Sequence, residues 1–453
     1  MMPTAAAGVP TETATSTDGI DQVDRRQLYR RVALRLMPFV LLCYIINAID
    51  RTNVSMAQLH LERDLGFTAE VFGLGLGLYY VGYVLFEVPS NLLLSRIGVR
   101  KTLLRIMAAW GVVSCATMLV KTPFQFYLVR FLLGLSEAGF YPGILLYITM
   151  WFPSGYRARI TALFMMGSPF ASAVSSPLSG AIMVGMDGLG GFYGWQWMFL
   201  IEGVPAILLG VAAVFVLTDR PEAAHWLSPD EKAAMAADLS NDEAARSSAV
   251  AGGYRSLLRD SSFFVLAFAI FSTYVLVNSA YWTPLLLQEA GMKSVSNIGL
   301  MSAVPSIITI VAMFFFARNS DRVRERRWHY FGTLAVGAAA VFLLATAPPS
   351  PVLVVILAGV ITSCTYSGST LLPGIFASFL SPDVRPAGMA MLTSIGAIGS
   401  VIAPIVIGRM RVVTGSYSDA LMLMSGVVAL AAVVFIVAIP KHRFLEPSAG
   451  RPS

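Results

Sequence analysis

The chain has 453 residues, of which 13% are charged and 56% hydrophobic, with a mean hydropathy of +0.70. Soluble domains carry about 25% charged residues, so this composition excludes a soluble globular protein and describes a polytopic membrane protein in contact with a lipid bilayer. The net charge of +6 is spread over short loops instead of one face, which argues against nucleic acid as a partner.

Residues 1–24 are rich in Thr, Ala, Ser and Asp and lack the basic start and apolar core of a signal peptide; a disordered cytoplasmic tail is expected over 1–30. A spanning helix needs about 20 mostly apolar residues. Stretches of that size fall at 34–57, 70–94, 102–120, 124–150, 158–184, 195–217, 262–287, 297–317, 329–347, 351–378, 387–410 and 418–440, which makes twelve. Both ends and the loops after even-numbered stretches hold most of the arginines, among them Arg31, Arg96, Arg100, Arg157 and Arg327. Arg63, Lys121, Lys293, Arg409 and Arg411 lie on the other side. The positive-inside bias therefore predicts both termini in the cytoplasm and a multi-pass protein of the cytoplasmic (inner) membrane.

The chain turns polar over 218–261, the only long hydrophilic insertion. This divides it into an N-terminal six-helix half (31–217), a cytoplasmic linker (218–261), a C-terminal six-helix half (262–440) and a cytoplasmic tail (441–453). Within the linker, Ser228-Pro229-Asp230-Glu231 is a capping-box pattern that predicts a short surface helix through about Leu239.

Five acidic residues lie in or at the ends of apolar stretches: Asp50, Glu87, Glu137, Glu202 and Glu289. Asp50 has Arg51 beside it, and Arg130 is two turns from Glu137. A charge at membrane depth costs several kcal/mol, so retaining both signs there points to a carrier for a charged or protonated passenger. Tyr44, Asn47 and Arg51 share one face of the first span, and Arg130, Glu137 and Tyr141 are expected to share one face of the fourth. Asp50 and Arg51 lie about 22 Å into their span, past the midplane; they could also simply end the helix at the interface, where arginine can snorkel. Glu137 has no such interface near it, although a buried pair with Arg130 could also be purely structural. Glu87 and Glu202 precede Pro89 and Pro205 and are expected to be structural, bonding backbone that the prolines free. Tyr79, Tyr80 and Tyr83 on the second span, Asn278, Tyr281 and Trp282 on the seventh, and Cys364, Tyr366, Ser367, Ser394 and Ser400 further on are the other polar candidates. Cys43, Cys115 and Cys364 show no metal spacing, no Walker motif appears, and Gly73 to Gly77 lies inside a span as a helix-packing stripe. No cofactor and no metal are expected, and neither is an enzyme.

The loop Ser95-Arg96-Ile97-Gly98-Val99-Arg100-Lys101 after the second span is matched by Ser320-Asp321-Arg322-Val323-Arg324-Glu325-Arg326-Arg327 after the eighth. Duplicated halves are a carrier hallmark. The first loop resembles the signature of the major facilitator superfamily, with Asn91 at its Gly position and Ser95 at its Asp position, so that Asp321 with Arg322 is the fuller copy. Glu87-Val88-Pro89-Ser90-Asn91, Arg130-Phe131-Leu132-Leu133-Gly134, Glu137-Ala138-Gly139-Phe140-Tyr141-Pro142-Gly143, Trp151-Phe152-Pro153, Gly194-Trp195-Gln196-Trp197 and Glu202-Gly203-Val204-Pro205 together resemble the superfamily's anion:cation symporter family. The closest likeness is to its permeases for tartrate, phthalate, hydroxyphenylacetate, nicotinate or allantoate, over roughly 30–440.

The resemblance implies an all-α fold of twelve transmembrane helices in two halves. It implies an organic carboxylate imported with protons by alternating access, the protein acting as a monomer. It places substrate on Arg51, Arg130, Tyr44, Asn47, Tyr79 and Asn278, the coupled protons on Asp50 and Glu137, and a conformational gate at Arg96, Arg100, Asp321 and Arg322. A carboxylate exchanger or exporter of the same fold, or a sensor that does not transport, stays open at this point.

Overall fold

The computed structural model describes residues 23–247, 254–323, 325–380 and 384–440. Every regular element among them is helical. The helices are α1 Arg25–Leu65, α2 Ala69–Ile97, α3 Val99–Ala116, α4 Pro123–Glu137, α5 Phe140–Trp151, α6 Ser154–Met165, α7 Gly167–Gly185, α8 Gly194–Val216, α9 Pro229–Ser247, α10 Ser261–Ser279, α11 Thr283–Glu289, α12 Val295–Val323, α13 Arg327–Thr346, α14 Pro351–Phe379, α15 Arg385–Thr414 and α16 Ser418–Ala438. Exposed apolar residues such as Phe215, Val352 and Val437 stud the outside of the bundle, the surface a bilayer covers.

Eleven described helical stretches are long and apolar enough to cross a membrane, with α4 and α5 together making one and α10 and α11 another. The missing member of the expected twelve is 158–184, which the structure builds as α6 followed by α7. Its length suffices; Ser168, Ser172, Ser175, Ser176 and Ser179 lower its hydropathy. Three of those hydroxyls reach other helices, Ser175 to Thr52 at 2.9 Å, Ser168 to Tyr366 at 2.9 Å and Ser179 to Glu202 at 2.7 Å, so this fifth span is a polar one.

The first helix corrects two expectations. It starts at Arg25, because the Asp24 side chain caps it by accepting from the Arg26 and Gln27 backbone N–H groups, so the expected tail over 1–30 ends earlier. It also runs on to Leu65 before Gly66 closes it in the left-handed conformation. Asp50 and Arg51 therefore sit inside a continuous 41-residue helix and do not end it.

The linker helix forms with the expected capping box, Glu231 N–H to Ser228 Oγ and Ser228 N–H to Glu231 Oε2, but extends to Ser247. It docks through charges on one group of helices: Arg31 with Glu231, Arg25 with Asp238 at 3.4 Å, and Arg157 with Asp242 at 2.9 Å. The Trp226 ring stacks on Trp151, and the Arg35 guanidinium lies over the Trp226 ring at 4.9 Å. This arginine-rich end is called the basic face below, and the opposite end the far face.

Two helix pairs make most of the contact between the halves. Pro404 and Gly408 of α15 pack on the glycine run of α2 so tightly that a Cβ on Gly73 would meet the Pro404 carbonyl oxygen at 2.2 Å. In the second pair, α12 lies along α7, with Gly299 against the Ser176 carbonyl. Both contacts are at far-face ends, where Arg409 also pairs with Glu70 at 2.7 Å and the Phe72 ring meets Trp282 edge-on at 5.2 Å. The far face is closed.

Candidate functional site

The expected continuous fourth span is broken. Its helix α4 ends at Glu137, Ala138 is extended, and Gly139 takes φ +88° before α5 restarts. A side chain at Gly139 would be strained in that left-handed region, and its Cβ would lie 2.4 Å from Ser90 Oγ. The break corrects one expectation: Tyr141 does not continue the Arg130–Glu137 face, but packs against Tyr44 and Phe164. It also leaves Glu137 at a helix end, fully buried, in the middle of the protein.

Upstream, α4 approaches α2 closely enough that a Cβ on Gly134 would overlap the Tyr79 carbonyl oxygen at 1.9 Å. That contact delivers Tyr79 to the carboxylate. Glu137 Oε2 accepts from three donors on two helices: Tyr79 Oη at 2.7 Å, Arg51 Nε at 2.7 Å and Asn47 Nδ2 at 2.9 Å. Oε1 has no hydrogen-bond partner.

The pairing differs from the sequence expectation in both halves of the constellation. Arg51 pairs with Glu137 and not with its neighbour Asp50, since consecutive residues on a helix point about 100° apart. Asp50 turns instead to α3, where Ser114 donates to its Oδ1. Arg130 does not bond Glu137; seven residues span about 10.5 Å along a helix. Its guanidinium lies over the Tyr79 ring at 5.0 Å, and the Arg51 guanidinium lies over the same ring at 5.7 Å and over Tyr83 at 5.1 Å. Tyr79 thus stands between two arginines, at distances suited to cation–π attraction. Arg51 Nη2 and Arg130 Nε have no hydrogen-bond partner.

The remaining candidates divide. Tyr44 stacks on Phe164 at 4.2 Å and belongs to an aromatic cluster. Asn278 is not brought to the arginines: its Nδ2 donates to the Tyr274 carbonyl and to Ser400 Oγ, joining α10 to α15. The group from this half that does reach across is Tyr281, with its hydroxyl 3.2 Å from that of Tyr80; Tyr366 likewise meets Ser168 at 2.9 Å. Arg100 ties the start of α3 to the end of α8, its N–H on Asp219 Oδ1 and its guanidinium on the Val214 carbonyl. Asp219 therefore supplies the acid that Ser95 lacks, a partner over a hundred residues away that no local pattern reveals. Arg96 is exposed. The side chains of Asp321 and Arg322 lie outside the described residues.

Between the halves is a cavity of about 110 Å³, which Thr52 lines from the first helix. Thr52, Ser172, Ser176, Tyr281, Thr362 and Tyr366 give it a wall of hydroxyls.

The Major Facilitator Superfamily pattern matches residues 40–404 and, again, 292–451. The chain belongs to this superfamily. Within it, the chain is 39% identical to a "Putative tartrate transporter" of Agrobacterium vitis over 93% of each chain. It is 36% identical to "Putative metabolite transport protein NicT" of Pseudomonas putida over 95% of this chain and 99% of the relative. It is also 34% identical to a "Quinolone resistance transporter" of Acinetobacter baumannii over 92% and 96%. Among solved structures, a bacterial homolog of the human lysosomal transporter Spinster, inward-facing and occupied, superposes with a TM-score of 0.70 at 18% identity, covering 90% of this chain and 97% of that one. That likeness shows the fold. With the relatives it makes this superfamily member a multi-pass membrane transporter of the organic-anion kind, and superfamily members are transporters and not enzymes.

Proposed function

We propose that the protein imports an organic carboxylate by proton symport, the two halves rocking around the Arg51–Arg130 centre, with both termini in the cytoplasm. The observation that carries this reading is the arrangement around Tyr79: two guanidiniums, each with unbonded nitrogen, next to a buried carboxylate that occupies one of them. A planar guanidinium meets a carboxylate through two parallel N–H bonds, so the substrate's carboxylate competes with Glu137 for Arg51.

Coupling follows from this competition. While Arg51 holds Glu137, the guanidinium matches the carboxylate's charge. Once an anionic substrate takes Arg51, Glu137 is left in a desolvated site with neutral donors only, Asn47 and Tyr79, and its charged form becomes costly. A proton then enters with the anion. Asp50, bonded by Ser114 and lacking a cationic partner of its own, is the second carboxyl able to take one. The hydroxyl-lined cavity between the halves, with Thr52 and Tyr281 in its wall, suits the uncharged polar remainder of a small acid. In this cycle Tyr44 and Asn47 flank the substrate carboxylate, and Arg96, Arg100, Asp321 and Arg322 tune the basic-face gate.

The tartrate relative supports a carboxylate passenger, while the quinolone-resistance relative favours a second reading in which the same machinery runs outward. Glu137→Gln, which imitates the protonated acid, tests the coupling. It is expected to retain substrate counterflow in proteoliposomes and to lose accumulation against a gradient. Parental accumulation by this variant under a pH gradient would remove Glu137 from the coupling role. Export would show as proton-driven uptake into inside-out vesicles, with no uphill uptake into right-side-out ones.

A further inference from the structure

Glu202 is buried, 4% exposed, on α8, and the proline-freed backbone expected to engage it does not. Its Oε1 accepts from Ser179 Oγ on α7 at 2.7 Å, and its Oε2 has no hydrogen-bond partner. The groups that act on it are Ser179 from α7, and Asn53 and Asp50 from α1; Cys115 of α3 packs on the adjoining Gly203. No lysine or arginine is among them. An ionised carboxylate at membrane depth with one neutral donor is uncompensated, a state that costs several kcal/mol. A protonated one is not.

Asn53 supplies the second observation. It is fully buried one turn beyond Asp50 and lies close to the carboxyls of both Asp50 and Glu202, yet neither its carboxamide oxygen nor its nitrogen closes a hydrogen bond. An amide with both ends free between two acids can donate to one and accept from the other, provided that one is ionised and the other protonated. Two buried carboxyls so placed do not titrate independently.

Ser179 supplies the consequence. It adjoins Gly180, which packs on the Val295 carbonyl of α12, within the contact that closes the far face. The bond from Glu202 to Ser179 therefore braces, from behind, one of the two main helix pairs between the halves.

We propose that Glu202 is a third proton-binding site, linked to Asp50 across Asn53, whose protonated form fastens α8 to α7 behind the far-face seal. Its place in a transport cycle rests on the proton-symport reading above; its binding of a proton does not. The step is simple protonation: the Glu202 carboxylate takes a proton from water, and the charge that Asp50 then carries meets less repulsion.

Infrared difference spectra of the lipid-reconstituted protein between pH 5 and 9 test the site directly. The parent is expected to show a protonated-carboxyl band that disappears in Glu202→Gln. Its midpoint should fall by about one pH unit, tenfold in proton affinity, when Asp50→Asn restores neither charge nor proton but removes the linked acid's share of the coupling. Ser179→Ala, which keeps the acid and removes its hydroxyl donor, should shift the band's frequency, so the assignment survives even if Glu202→Gln fails to fold. In proteoliposomes, Glu202→Gln should keep counterflow and flatten the pH dependence of net uptake. A band unchanged in Glu202→Gln, or unmoved by both Asp50→Asn and Ser179→Ala, overturns the proposal, as does a parental pH profile in Glu202→Gln. If the band behaves as expected but the parent shows no proton-driven uptake, the symport reading fails and the proton site stands.

Discussion

At the scale of residues, the account turns on one carboxylate oxygen. Glu137 Oε2 collects Tyr79, Arg51 and Asn47, while Arg130 lies over the Tyr79 ring with Nε unbonded. The division of labour predicts that Arg130→Lys, which keeps the charge and loses the planar fork, weakens substrate binding at least about tenfold, or about 1.4 kcal/mol. Calorimetry on the purified protein checks this, and unchanged affinity would make Arg130 a structural residue. Asp50, Arg51, Arg130 and Glu137 were conspicuous in the sequence because charges stand out in apolar runs. Their pairing was not. Which acid meets which arginine depends on how α1 and α4 are rotated against α2 and α3, and neighbours in sequence such as Asp50 and Arg51 diverge on a helix. Asn278 shows the same limit from the other side: a polar residue in a span proved to bind its own half together.

At the scale of elements, the break after α4 positions the site. Gly139 is the residue that permits it, and Gly139→Ala is expected to destabilise the protein by about 1–2 kcal/mol through the left-handed backbone alone, with more lost to the Ser90 contact. A lowered melting temperature in detergent together with weakened substrate affinity is the expected result; a variant with parental values of both would mean that the break bears no strain and does not set the site. Helical periodicity gave no warning of it, because glycine is frequent in uninterrupted membrane helices. The fifth span was legible by length, yet its serines make it the least apolar of the set, and only packing shows that they face Thr52 and Glu202. The capping box of the linker helix, by contrast, was readable outright, since it is a purely local pattern.

At the scale of the whole molecule, the far face is sealed by α2 with α15 and α7 with α12, while the linker helix rides on the opposite end of one half. The duplicated loops and twelve apolar stretches made this architecture legible; the seal was not, because its closest approaches are made by glycine backbone, and glycine is frequent throughout membrane helices. Docking of the linker carries its own pH signature. Hydrogen bonds from Ser154, and then the Arg157 guanidinium, hold the Asp242 carboxyl below the usual carboxylate range. A group depressed in the folded state stabilises above its unfolded value, near 3.9, and that contribution is lost as pH falls through the lower folded value. The linker should therefore stay docked throughout pH 5–8, and Asp242→Asn should change its hydrogen exchange while leaving the pH profile of transport unmoved. A profile that shifted in Asp242→Asn would place part of the pH dependence outside the membrane core.

The central claim is that protons accompany a carboxylate through the Arg51–Arg130 centre. Uptake of tartrate and a panel of other carboxylic acids into proteoliposomes, at fixed internal pH and varied external pH, addresses it most directly. For at least one acid, uptake should rise as external pH falls below about 7, collapse with a protonophore and ignore sodium, because the buried Glu137 carboxylate loses its arginine partner to the anion. Uptake that required sodium and survived the protonophore would contradict the claim.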